Sequence, residues 1–279
     1  MSQQHLVSRE WLQSHLGDAN LVLVDCRFTL GKPGVGLNEY VEAHIPGALY
    51  FDLEHDLSGP KAAHGGRHPL PSVGQLQTLF SNAGIDQDTF VVAYDEQDLA
   101  HASRLWWLLR YLGHEKVAVL NGGFAGWRQA GLPTTAEVKP APDAKTFIPN
   151  VQLHMLVGME DVKQRDEKAA LLDSRAPERY RGEVEPLDPK AGHIPGAANY
   201  FYKHNFAPDG ELLPNDALQE RFRAVSGKDE IIAYCGSGVT GCVNVLALYQ
   251  AGRTDAKLYA GSWSDWTSYA DNPVATGEE

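Results

Sequence analysis

Residues 235 to 240, Cys-Gly-Ser-Gly-Val-Thr, bring a thiol, two hydroxyls and two glycines into six positions. An apolar β-like run, Ile231–Ala233, leads into the cysteine, and an apolar helical run through Gly241–Tyr249 leads out. Three chemistries fit such a loop. Gly236 to Gly241 spells G-x-G-x-x-G, the turn of a dinucleotide site, but that site needs an acidic residue closing the next strand to hold a ribose. The next strand-like run, "KLYAG", ends in Ala260-Gly261, and Asp255 precedes it. A cysteine phosphatase needs an arginine six residues after its nucleophile to clamp phosphoryl oxygens, and that position is Gly241. The third chemistry is a cradle for sulfur. Glycines 236 and 238 let successive backbone N–H groups turn inward as an anion-binding nest, and the helix behind Thr240 directs its positive end at the thiol. Such surroundings lower a cysteine pKa from about 8.5 and supply thiolate near neutral pH. Cys235 is the expected nucleophile, and Gly236, Gly238, Val239 and Thr240 form its cradle.

The elements that must position this loop are written twice. "LVLVDCRF…YVEAHIPGALYF" (21–51) answers "ALLDSRAPERYRG…AGHIPGAANYF" (170–201), "FVVAYDEQ" (90–97) answers "IIAYCGSG" (231–238), and "VLNGGFAGW" (119–127) answers "LYAGSWSDW" (258–266). Short apolar runs (Leu21–Val24, Phe90–Ala93, Val117–Leu120, then Ala170–Leu172, Ile231–Ala233, Lys257–Tyr259) alternate with helical patterns. That alternation predicts parallel sheets covered on both faces, with sites beyond the carboxyl ends of the strands. Cys235 sits at such an end; the first copy places Asp95 there. The expected organisation is an N-terminal domain over 1–135, a Pro- and Ala-rich linker over 136–150, and a C-terminal domain over 151–279.

Composition narrows the function classes. The net charge is −12 without a basic block, which argues against nucleic acid as a partner. No window approaches the apolar length of a membrane span. The opening "MSQQHLVSREWLQSHL" has no basic stretch followed by an apolar core, so a cytoplasmic location is expected. Three cysteines without a C-x-x-C pair argue against a disulfide framework, a thioredoxin-type site or a zinc ribbon.

The duplicated "HIPGA", the carboxylate in the first copy and "CGSGVT" in the second together resemble the two-domain rhodanese-fold sulfurtransferases, over nearly the whole chain. The resemblance implies an α/β fold of two tandem rhodanese-like domains, each a mostly parallel sheet flanked by helices, the first inactive and the second catalytic, with a cleft between them. It implies ping-pong chemistry, in which Cys235 takes a sulfane sulfur from a donor and hands it to a thiol, thioredoxin or cyanide, without metal or organic cofactor.

The loop is similar to that of 3-mercaptopyruvate sulfurtransferases, whereas thiosulfate-using members carry basic residues after the cysteine. A neutral Gly236-Ser237-Gly238 suits a monocarboxylate donor better than a dianion. Loss of sulfur from mercaptopyruvate also leaves an enolate to be protonated, a task for a hydroxyl backed by a base. Ser237 supplies the hydroxyl, and by resemblance His68 (in "RHPLP") and Asp52 (in "YFD") complete a relay. These two lie where the first copy has extra chain: His44 to Tyr94 is nine residues longer than His193 to Tyr234. The extra chain is expected to reach into the cleft. Arg179, in "PERYRG", matches the family's donor-binding arginine. A second arginine usually follows the Glu-Pro further on, but here Leu187 occupies that place, with Arg181 and Lys190 the nearby cations to compensate. Thiosulfate therefore stays open as a donor, and a non-catalytic sulfur-binding protein is the rival from another class.

Other residues are read as structural. His44 and His193 recur in both copies and should fix a turn; Asp25 and Asp173 should anchor strand ends. Cys26 and Cys242 should be packing residues. Five tryptophans (106, 107, 127, 263 and 266) should be core or domain-contact residues, and Trp263, just past a strand end in the active copy, is placed to line the cleft.

Overall fold

The computed structural model describes residues 5–140 and 142–278; Ala141, inside the expected linker, lies outside the described residues. The chain divides into two compact units: Met1–Gly59 with Pro71–Gln152 and Pro208–Glu211, and Pro60–Leu70 with Leu153–Ala207 and Leu212–Glu279. Residues 60–70 thus belong to the second unit although they come from the first half of the sequence. The C-terminal part of the expected linker packs within the first unit. There the Lys145 N–H donates to the Ser81 carbonyl (3.0 Å), the Asn150 N–H donates to the Leu112 carbonyl (2.8 Å), and Phe147 is buried.

The first unit carries strands β1 (Leu6–Val7), β2 (Leu21–Asp25), β3 (Leu49–Tyr50), β4 (Phe90–Tyr94) and β5 (Val117–Leu120). Its helices are α1 (Arg9–His15), α2 (Val35–Glu42), α3 (Val73–Asn82), α4 (Ala100–Tyr111) and α5 (Gly123–Gln129). The second carries β6 (Leu156–Val157), β7 (Ala169–Asp173), β8 (Ala197–Asn199), β9 (Glu230–Tyr234) and β10 (Lys257–Tyr259). Its helices are α6 (Met159–Lys163), α7 (Pro177–Tyr180), α8 (Asn215–Arg221), α9 (Gly241–Gln250) and α10 (Ser262–Trp266). The sheet orders, β1-β5-β4-β2-β3 and β6-β10-β9-β7-β8, are the same topology, and every pairing is parallel. The two parallel α/β sheets expected from the repeat are present. The edge strands β1, β3, β6 and β8, two or three residues long, had no apolar run to announce them.

Central strands β4 and β9 bury four of their five residues, as strands covered on both faces must. Behind β9, α9 is apolar all round and buried along most of its length. Its polar Asn244 is satisfied by Ser174 Oγ (2.8 Å), the Tyr200 carbonyl (2.7 Å) and the Asn205 amide (2.7 Å).

The residues read as structural have matching roles in each unit. Asp25 accepts both Nε and Nη2 of Arg27, and Arg27 donates onward to the Ala43 carbonyl (2.6 Å). Asp173 holds Arg175 in the same way, with the Gly192 carbonyl (2.7 Å) as onward acceptor. These pairs tie the end of a central strand to the turn that carries "HIPGA". In that turn His44 stacks on Tyr40 and hydrogen-bonds its carbonyl, as His193 does with Tyr180. Trp127 and Trp266 each donate to a proline carbonyl (2.8 Å). Trp263 is fully buried, donates to the Lys190 carbonyl (2.9 Å) and lies under the Arg175 guanidinium, so it is a core residue and lines no opening.

A buried carboxylate removed from such a pair leaves an uncompensated guanidinium, which costs about 3–5 kcal/mol. Asp25→Ala should therefore lower the denaturant midpoint of the protein by a corresponding amount, measured by urea unfolding followed by circular dichroism. A change under about 1 kcal/mol would show that Arg27 finds another counter-charge.

Candidate active site

Cys235 follows β9 directly and is 2% exposed. Its N–H donates to Ser262 Oγ (3.1 Å), its carbonyl accepts the Trp263 N–H (3.0 Å), and the Gly236 carbonyl accepts the Ser264 N–H (2.9 Å). The loop is thereby fastened to the start of α10, where Ser262 holds a left-handed backbone (φ +57°) that side chains adopt reluctantly. Gly238 turns the loop with φ +77°, and a Cβ there would collide with the Ala260 carbonyl, so glycine is required twice over.

This turn directs donors onto the sulfur. The Gly238 N–H lies 3.1 Å from Sγ. Burial alone raises the thiol pKa. The Thr240 hydroxyl and the N–H groups of Ser237, Gly241 and Gly238 outweigh it, so the net shift is downward. Thr240 stands at the N-cap of α9, yet its hydroxyl caps no helix N–H and serves the sulfur. Cys26 shows the opposite case: burial first, then Asp25, Asp95 and Asp56, push its thiol well up. Cys242 is buried and donates its S–H to the Gly238 carbonyl (3.3 Å), a packing role.

The first unit keeps the cradle but fills it differently. Asp95, at the end of β4, accepts the N–H groups of Leu99 (3.0 Å), His101 (2.9 Å) and Ala102 (3.2 Å) at the start of α4. A carboxylate occupies the place that the second unit gives to sulfur.

Around the loop the second unit assembles a base and two cations. Segment Pro60–Leu70 is held by the Gly65 N–H on Asp265 Oδ1 (2.7 Å), the Arg67 N–H on Ser264 Oγ (3.0 Å), and His64 stacked on Tyr269. It places His68, buried, with Nδ1 2.7 Å from Ser237 Oγ. With the ring proton on Nε2, Nδ1 accepts from the hydroxyl and can take its proton. Asp52 lies in the first unit, where its carboxylate accepts the Tyr50 hydroxyl (3.2 Å) and the N–H groups of Glu54 (2.8 Å) and His55 (3.0 Å).

Arg179, at the end of α7, and Arg67 both border Gly236. A Cβ on that glycine would lie 2.9 Å from Arg67 Nη2 and 3.5 Å from Arg179 Nη1. Arg179 is held by Glu185 through Nε (3.2 Å) and Nη2 (2.7 Å), and reaches Asp188 Oδ2 (3.3 Å). Arg67 Nη1 donates to Asp188 Oδ1. Leu187, standing where a second arginine was looked for, is exposed. Arg181 pairs with Glu183 and Glu278, and Lys190 donates to the Tyr269 and Ala270 carbonyls. The second guanidinium found beside Gly236 is Arg67; Arg181 and Lys190 have these partners of their own. Arg67, Glu185 and Asp188 escaped sequence reasoning. The signal was faint: an arginine next to His68, and two acids three residues apart in "EPLD".

Among the described residues, no cluster of His, Cys, Asp and Glu could hold a metal ion, and no helix is long and apolar enough to cross a membrane.

The chain is similar to known proteins along its whole length. The rhodanese-like domain family matches residues 8–130 and 159–269. A probable 3-mercaptopyruvate sulfurtransferase of Pseudomonas aeruginosa is 44% identical over all of both chains. The thiosulfate sulfurtransferase of Mus musculus is 34% identical over 94% of this chain and 91% of its own. Among solved structures, the 3-mercaptopyruvate sulfotransferase SseA of Escherichia coli superposes with a TM-score of 0.82 at 33% identity, covering 94% of this chain and 99% of that one.

Thr240 heads the groups that lower the Cys235 pKa. Thiolate exists above that pKa and is lost as pH falls through it. Alkylation of Cys235 by iodoacetamide should therefore have its pH midpoint below the ordinary thiol value of about 8.5, and Thr240→Val should move the midpoint upward by a measurable fraction of a unit or more. An unmoved midpoint would assign the shift to the backbone donors alone.

Proposed function

This chain belongs to the rhodanese family and is a sulfurtransferase, and we propose that it moves a sulfane sulfur from 3-mercaptopyruvate through a persulfide on Cys235 to a thiol or cyanide. The observation that carries the reading is the pairing of a depressed thiol in an N–H cradle with a Ser237–His68 hydrogen bond two residues away. The Cys235 thiolate attacks the donor sulfur; an S–S bond forms while the C–S bond breaks, and its electron pair passes to carbon as pyruvate enolate. The proton carried by the donor sulfur reaches that carbon through Ser237 and His68, leaving pyruvate and a persulfide anion. Asp52 joins the relay by family resemblance. The cradle donors that favour thiolate favour the persulfide anion equally. Cyanide or a thiolate then takes the outer sulfur and restores the thiolate of Cys235; thioredoxin is a suitable protein acceptor.

Arg179 and Arg67 beside Gly236 favour an anionic donor, and they also support thiosulfate as a second donor, with sulfite leaving unprotonated. Three free cysteines and a thiolate nucleophile suit a reducing compartment, which supports a cytoplasmic location.

Steady-state transfer to cyanide with 3-mercaptopyruvate and thiosulfate in parallel tests the reading. Mercaptopyruvate should lead by tenfold or more in kcat/KM, about 1.4 kcal/mol of transition-state preference. Mass spectrometry should find about 32 Da added after donor treatment and none in Cys235→Ser. Ser237→Ala should slow the mercaptopyruvate half-reaction far more than the thiosulfate one, since only the former needs a proton delivered. A thiosulfate lead would overturn the donor assignment, and turnover in Cys235→Ser would overturn the nucleophile.

A further inference from the structure

We propose that Arg67 and Arg179 together receive the carboxylate of the sulfur donor, and that Asp188, shared by both guanidinium groups, tunes this pocket for a monoanion over a dianion. The inference rests on the sulfurtransferase reading of the loop and adds the residues that choose the donor's charge.

Four observations carry it. Both guanidinium groups border the loop residue Gly236, where a Cβ would crowd Arg67 Nη2 (2.9 Å) and touch Arg179 Nη1 (3.5 Å). Both are bound by the same acid: Arg67 donates Nη1 to Asp188 Oδ1, and Arg179 donates Nη2 to Oδ2 (3.3 Å). Asp188 is nearly inaccessible, at 2% side-chain exposure, while Arg67 and Arg179 keep 24% and 18%, so a ligand meets the cations and not the acid. Among the described residues the buried Nε–H of Arg67 finds no acceptor, and a buried donor without one is costly unless something supplies it.

Charge then decides between donors. Arg67, Arg175 and Arg179 are matched by Asp173, Glu185 and Asp188 in one connected network. The network is neutral as a whole. It offers a carboxylate the directed N–H donors of two guanidinium forks, but it offers a dianion little net positive charge, and the loop itself has none. Converting Asp188 to asparagine would keep the shape and leave one surplus positive charge next to the cradle. The segment Pro60–Leu70, within the stretch where the first copy runs nine residues longer than the second, supplies Arg67, and this cation stands in for the arginine that Leu187 replaces.

Alkylation of Cys235 reads the pocket without requiring turnover. Iodoacetate and iodoacetamide differ by a carboxylate, so the ratio of their second-order rate constants reports anion recognition at the sulfur. Arg67→Gln should lower that ratio at least fivefold and Arg67→Lys should lower it less; Asp188→Asn should raise it. In steady state, Asp188→Asn should raise the kcat/KM of thiosulfate relative to 3-mercaptopyruvate about tenfold, while Arg67→Gln should raise the mercaptopyruvate KM more than it lowers kcat. Misfolding would move both variants the same way, so opposite movement of the ratio is the diagnostic sign. Ratios that stay within twofold of the parent in all three variants, or that fall in Asp188→Asn, would overturn the proposal. If the ratios respond as stated but neither donor is turned over, the transfer reading fails while the anion pocket stands.

Discussion

A buried acceptor at the carboxyl end of a parallel strand needs donors that do not have to be recruited, and backbone N–H groups at the following turn and helix provide them. Both units of this protein are organised around that requirement. In the second, the sulfur of Cys235 is met by N–H groups of Ser237, Gly238 and Gly241 and by the Thr240 hydroxyl. In the first, the carboxylate of Asp95 is met by Leu99, His101 and Ala102. The turn is expensive to build: it needs the left-handed Gly238, a left-handed Ser262 and close contact with the Ala260 carbonyl. Strands, helix α9 and the buried Asp173–Arg175 pair hold that geometry in place. Burial, and then Asp98, push the Asp95 carboxyl well up, so the first unit presents the same kind of turn to an oxygen acceptor where the second presents it to a thiol.

Acidity and reactivity are separated by these contacts rather than by burial. Cys26, Cys235 and Cys242 are all buried; at Cys26 burial and then the nearby carboxylates push the thiol up, while at Cys235 N–H and O–H donors outweigh burial and draw the thiol down. The same sorting acts on the cations. Arg27 and Arg175 are consumed by the aspartates two residues before them and serve the framework. Arg179 and Arg67 share their acids and stay partly accessible, which is what a ligand-facing guanidinium requires.

What could be read from the sequence was whatever is written locally or written twice. The repeat placed the sheets, the linking of "HIPGA" to a turn, and Cys235 opposite Asp95, because both copies print the same apolar runs in the same order. The cradle was legible because its donors lie within six residues of the thiol. Edge strands of two or three residues carry too few side chains to show alternation. The tryptophan beyond β10 looked like a lining residue because its position at a strand end is visible in sequence, whereas its burial under Arg175 depends on tertiary packing. Arg67 was hidden for a related reason. Its acid lies 121 residues away, while Leu187 stands beside Arg181 and Lys190, whose partners are Glu183, Glu278 and backbone carbonyls.

The excursion of residues 60–70 gives the duplication an evolutionary meaning. After two copies of a fold are joined, a copy that loses its nucleophile is free to decay, and a gene fragment encoding only the active copy would be the economical outcome. Here the silent half encodes the segment that carries His68 and Arg67 into the second unit. Deleting it would strip the second unit of these groups. Selection on the sulfur chemistry of one half therefore preserves the other, and the pair is inherited as an indivisible whole.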